Sequence, residues 1–156
     1  MGTKEHKQKI WELINPIGVG MLTIQDDMNL DTRPMQLIQN EYDNKLWFFT
    51  NKKSAHADLL KNNKSANITF ANPKDGTFVS MSGEAAIVTN DKLTQNLWND
   101  YASAWFADED NVALIEMKVD SGEHWDRKVD KETFKEQIKD SMNSSKVPNV
   151  TEHEKF

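Results

Sequence analysis

KLWFFTNKKSAHADLL, Lys45 to Leu60, is the stretch on which the reading turns. Leu46 to Thr50 is an aromatic run of strand character, and Asn51 to Lys53 is a polar turn. Ser54 then opens a short helix reaching about Lys61, anchored by Leu59 and Leu60. Cations, hydroxyls and an imidazole at a strand-to-helix corner leave two readings open. The corner can hold an anion, because a helix start offers free N–H groups and the positive end of the dipole. Thr50 and Ser54 then add hydroxyls, while Lys52, Lys53 and His56 add charge. Alternatively, it is a solvated turn in which Ser54 is a plain N-cap.

Upstream, Ile10, Leu13 and Ile14 at helical spacing predict an amphipathic helix from Lys4 to Ile14, stopped by Asn15-Pro16. IGVGMLTI, Ile17 to Ile24, is apolar in both phases and predicts a strand buried on both faces. Gly18 and Gly20 within it predict a close approach by a neighbour. DDMNLD, Asp26 to Asp31, predicts a hairpin loop. It copies the opening of a calcium loop, but Thr32 and Ile38 stand where that loop needs glycine and glutamate. RPMQLIQNEY returns as a second strand, whose Arg33 can hold phosphate oxygens in a fork.

Downstream, SANITFA and TFVSMSGEAAIVT predict strands on either side of the turn from Asn72 to Gly76. Asp91 caps a helix to about Tyr101, with Leu93, Leu97 and Trp98 facing inward. AWFADEDN is irregular, NVALIEMKV and GEHWDRKV are two further strands, and Lys131 to Met142 is a terminal helix. Short hairpin-connected strands with interspersed helices predict a mainly β (α+β) fold, a barrel carrying helices on its outside. One domain is expected over residues 1–142, with a polar, mobile tail over 143–156.

At 156 residues, 37% hydrophobic and 28% charged, the chain can bury one real core. Its net charge of −6 argues against a sequence-independent nucleic-acid surface, which needs a basic face. The chain has no cysteine, so disulfides, thiolate metal sites and cysteine nucleophiles are excluded. His6, His56, His124 and His153 lack ligand spacing, and no metal site is expected. No apolar run reaches the length of a membrane span and the N-terminus has no export core, so a cytoplasmic protein is expected. P-loop, dinucleotide and nucleophile-elbow motifs are missing. Among the five tryptophans, Trp105 and Trp125 stand out as aromatics able to cover a planar ligand or a partner surface.

A resemblance now joins these pieces. Arg33-Pro34-Met35, LWFFT at Leu46 to Thr50, the Ser54 helix and NITFANP at Asn67 to Pro73 come first. FVSMSGEA at Phe78 to Ala85, LWNDYASAWF at Leu97 to Phe106 and HWD at His124 to Asp126 follow. In order and spacing they resemble the FMN-binding split barrels related to pyridoxamine 5′-phosphate oxidase, in the general stress protein 26 subgroup. The resemblance covers about Lys9 to Arg127. It implies a six-stranded antiparallel split β-barrel with flanking helices, forming a homodimer with FMN at the subunit interface.

The resemblance also implies roles. Arg33 contacts the FMN phosphate or its ribityl region, Pro34 and Met35 lie along the isoalloxazine, and Phe49 and Thr50 border the flavin. Ser54 contacts the phosphate, while Trp105 and Trp125 approach the flavin from the other subunit. Many relatives follow this serine with Arg-Lys or His-Lys. Here His56 stands in the lysine's place, with Lys53 as a compensating cation. The implied function is an FMN flavoprotein of the stress-protein type, an oxidoreductase on a small molecule in which the flavin carries the redox chemistry. Pyridoxamine 5′-phosphate oxidase activity itself is not expected, because Glu152 to Phe156 does not resemble the basic substrate segment of those enzymes. The alternatives are a barrel using haem or deazaflavin, and a non-catalytic dimeric module.

Overall fold

The computed structural model describes residues 4–106, 109–126 and 152–156, without the side chains of residues 100, 101, 105, 109 and 152–154. The expected helix from Lys131 to Met142 lies outside the described residues. Helix α1 (Lys4–Ile14) leads into β1 (Val19–Asp26) and β2 (Asn29–Gln36). Then come β3 (Lys45–Asn51), α2 (Ala55–Leu59), β4 (Lys64–Asn72) and β5 (Thr77–Val88). Helices α3 (Asp91–Leu97) and α4 (Asp100–Trp105) precede β6 (Val112–Asp126), and a short β7 (Glu152–Lys155) pairs with the end of β6.

The strands run in the order β2-β1-β4-β5-β6-β3, with each neighbouring pair antiparallel. The sheet curls until the chain leaving β2 meets β3, where the Ile38 N–H donates to the Trp47 carbonyl at 3.3 Å. Six antiparallel strands thus form a curled, split barrel with helices outside, as expected. Strand alternation decides what enters it. Leu22, Ile24, Phe48, Ile68, Phe70 and Met81 fill the interior, and α1 closes one end with Ile10 and Ile14. Gly20 lets this happen: a Cβ there would come within 2.7 Å of Ile68 and 2.8 Å of Phe70. The close approach predicted from the glycine is therefore real.

A second cluster forms outside the barrel. Phe49 packs against Trp98 at 5.7 Å and Phe106 at 6.4 Å between ring centroids, with Ala102 buried beside them. Backbone chemistry shapes this cover. The expected helix from Asp91 to Tyr101 is two helices, because Trp98 leaves the helical region (φ −66°, ψ 122°) and two asparagines cap separate starts. Asn90 accepts the Leu93 N–H at 3.0 Å and Asn99 the Ala102 N–H at 2.8 Å. The cap of the first helix is Asn90 and not Asp91.

Three further expectations are corrected. β1 is not buried on both faces: Val19 and Met21 are 41% and 44% exposed, so its outer face is open. The loop DDMNLD shrinks to a tight turn at Asp27-Met28, with Asp27 at φ 54°, and Asp31 belongs to β2. The two strands expected after Asn111 are one, β6, in which Asp120 bulges out between Ser121, opposite Ser82, and Val119, opposite Gly83. SGE resembles a turn in sequence, and the bulge absorbs it without breaking the strand.

Candidate functional site

Asp31 and Arg33 stand two apart on β2, so their side chains leave the same side of the strand. Their register partners on β1 are Ile24 and Leu22, both fully buried, which places the two charges at the inner margin of an edge strand. From the other side comes α2. Ser54 is its N-cap, with Oγ accepting the Ala57 N–H at 3.0 Å. His56 and Leu60 are four apart, share the helix's inward face, and are both fully buried, whereas Ala55 and Asp58 are exposed.

These elements meet at one oxygen. Arg33 Nε donates to Asp31 Oδ1 at 3.1 Å, and His56 Nδ1 lies 3.5 Å from the same atom. The second distance is long for a hydrogen bond, and neither ring nitrogen of His56 has a hydrogen-bond partner among the described residues. Leaving a buried polar group so poorly satisfied costs about 1–3 kcal/mol. Burial, the largest influence, lowers the His56 pKa; the Asp31 charge opposes this and the Arg33 charge adds to it. His56 is therefore a neutral imidazole at neutral pH. It does not stand as a solvent-facing cation in a lysine's place, because the helix turns it into the protein.

This proton linkage has a definite sign. Unfolded, the imidazole titrates near 6.5, and in the fold it titrates lower. Below about pH 6.5 the unfolded chain thus binds more protons, so stability is complete above that pH and falls as acid is added beneath it. Urea unfolding should show a lower midpoint at about pH 5.5 than at about pH 7.5. His56→Gln should flatten that difference; an undiminished difference would assign it to other groups.

The remaining expected residues are placed as follows. Thr50 is the last but one residue of β3, buried and 9% exposed. Lys53 is exposed beside Ser54, its N–H donating to Asn51 Oδ1 at 2.9 Å. Met35 lies in the core while Pro34 faces outward into solvent. The Phe49 ring is taken up by Trp98 and Phe106, so at that position only backbone is left to border a ligand. Trp125 sits opposite Phe78 near the end of β6. The side chain of Trp105 lies outside the described residues. Within one chain, then, Arg33 and His56 converge on Asp31, and Ser54 caps the same helix two residues before His56.

The convergent groups fit a phosphate monoester. Arg33 is 42% exposed at its side chain and has four terminal N–H donors besides the one given to Asp31. The Ser54 oxygen only accepts within the helix, which leaves its hydrogen to donate, and the first turn of α2 has N–H groups without helical acceptors. Asp31 is the member the sequence reading missed. The signal was its spacing of two from Arg33, concealed because a turn-like composition placed it in a loop.

Comparison with known proteins supplies the context for this geometry. Residues 5–149 match the family model described as pyridoxamine 5′-phosphate oxidase like. The chain belongs to that family. Among solved structures similar to it is a Jannaschia protein named for general stress protein 26, with a TM-score of 0.72 and 20% identity over 99% of both chains. Another is the general stress FMN/FAD binding protein of Xanthomonas citri, with a TM-score of 0.68 and 27% identity over 80% of this chain and 90% of that one. Protein bli-3 of Neurospora crassa is 41% identical over 63 residues, 40% of this chain and 30% of that protein. The match therefore spans about a third of that relative's length. Among the described residues, no helix of this family member is long and apolar enough to cross a membrane.

Proposed function

We propose that this chain is an FMN flavoprotein of the general stress type, an oxidoreductase on a small molecule. Its phosphate site is built from Arg33, Thr50, Lys53 and Ser54, and the isoalloxazine lies along the backbone of Pro34-Met35 and Phe49-Thr50. When bound, the flavin supplies the redox chemistry, and the chain supplies position and charge. The observation that carries the reading is the meeting of the Arg33 guanidinium and the Ser54-capped turn across Asp31. A guanidinium beside the first turn of a helix whose cap carries a hydroxyl selects phosphate in preference to a neutral ligand.

The protein is further read as one domain over residues 1–142, to whose sheet β7 adds a short strand, working in the cytoplasm as a homodimer. Support for the dimer comes from the open outer face of the sheet. Val19, Met21 and Leu30 are exposed there, and Phe78 and Trp125 lie on the same face. Across such a face the partner's Trp105 and Trp125 reach the flavin that one chain alone leaves uncovered. The test is to purify the protein after adding FMN, dialyse, and record the spectrum together with light scattering. A dimer retaining flavin absorbance is expected. Mass spectrometry of a released haem or deazaflavin, or a monomer indifferent to FMN, would overturn the reading.

A further inference from the structure

We propose that Asp31 tunes the phosphate site, and that its Oδ1, shared by Arg33 Nε and His56 Nδ1, couples anion binding to protonation of His56. The inference rests on reading this corner as the phosphate site. Its basis is one carboxylate oxygen with two neighbours, at 3.1 Å and 3.5 Å, one of them a fully buried imidazole.

With His56 neutral, the geometry assigns the ring hydrogen to Nδ1, facing the carboxylate. Asp31 then neutralises Arg33 alone and repels an incoming anion. A proton taken from solvent adds at Nε2, and the imidazolium gives Asp31 a second cation. The corner gains one positive charge, and Arg33 is released toward the phosphate; no bond other than an N–H forms. Among the described residues, Asp31 and Arg33 are the charges that act on the ring. β3 carries only Lys45, at its far end, where it pairs with Glu116 at 3.5 Å. The one charge of β5, Glu84, is exposed on the sheet's outer face, opposite Ser65. On α2 itself, Asp58 is exposed and pairs with Lys61 at 3.1 Å, and Lys52 and Lys53 are exposed on the turn.

The experiment measures FMN affinity by flavin fluorescence quenching at about pH 8 and about pH 5.5 in wild type, Asp31→Asn and His56→Gln. The FMN phosphate loses part of its charge across this range, with a pKa of about 6, but does so equally for all three proteins. The ratio of the two affinities therefore isolates the protein's own contribution. Asparagine keeps an acceptor for Arg33 Nε and removes the charge, so Asp31→Asn should bind FMN several-fold more tightly than wild type at the higher pH. Acidification should favour binding at least ~3-fold more in wild type than in either variant, as expected of a single charge acting at short range. In ligand-free protein, the His56 ring resonance should titrate at lower pH in Asp31→Asn. If His56→Gln does not fold, Asp31→Asn carries the test alone. Equal affinity ratios, or weaker binding by Asp31→Asn at the higher pH, would overturn the coupling while leaving the phosphate site in place. A wild type that binds no FMN at either pH would overturn both.

Discussion

Arg33→Ala is expected to weaken FMN binding by roughly 30- to 150-fold, the equivalent of about 2–3 kcal/mol for a charge-assisted contact to phosphate. The guanidinium contributes more than charge. Its terminal nitrogens form a planar fork, and Asp31 engages the side chain at Nε, which leaves the fork's four N–H groups for a phosphate. Arg33→Lys should therefore be intermediate, keeping the charge and losing the fork. Riboflavin, which lacks the phosphate, supplies the control: its affinity should change by less than ~2-fold in either variant. Equal losses for FMN and riboflavin would place Arg33 away from the phosphate. Folding can be checked in the same samples. Removing Arg33 takes away a charge that lowers the His56 pKa, so a folded Arg33→Ala should show His56 titrating at higher pH.

The largest effect on stability is expected at Gly83. A side chain at this position would collide with the backbone carbonyl of Lys118, at the point where the Asp120 bulge shifts the register of β6. Backbone in a two-sided ladder cannot yield as a side chain can. Gly83→Val should destabilise by about 3 kcal/mol or more, lowering Tm by roughly 6–12 °C for a chain of this size. Gly20→Ala is the matched control, because its Cβ would meet side-chain atoms of Ile68 and Phe70 and no backbone. It should cost no more than about 1–2 kcal/mol. A Gly83→Val protein as stable as wild type would mean that β5 and β6 do not approach each other in this way.

Particular residues show where sequence suffices and where it stops. The barrel strands were legible because alternation and turn chemistry mark them: LWFFT and SANITFA fall within strands of the structure, and TFVSMSGEAAIVT overruns β5 by one residue, Thr89. Ser54 was legible as a cap for the same local reason. The break at Trp98 was not, since it depends on Phe49 drawing the indole toward the barrel while Asn99 restarts the helix. Nor was the continuity of β6, which a bulge maintains through a turn-like sequence.

At the site, pattern and packing gave different answers. Arg33 and Ser54 were read as anion-binding from residue type alone, whereas His56 looked like a cation because it stands in the place of a lysine in the sequences it resembles. Its spacing of four from Leu60 already put it on the buried face of α2. Asp31 became visible only when β2 was seen to begin at Asn29. Both are charge-bearing groups whose role depends on what lies opposite in space.

A crystal structure of the protein grown with FMN tests the central claim most directly. The phosphate is expected in the corner between β2 and α2, its oxygens about 3 Å from the Arg33 terminal nitrogens and the Ser54 hydroxyl. FMN seated elsewhere, or a corner without phosphate in which Arg33 still engages only Asp31, would contradict it.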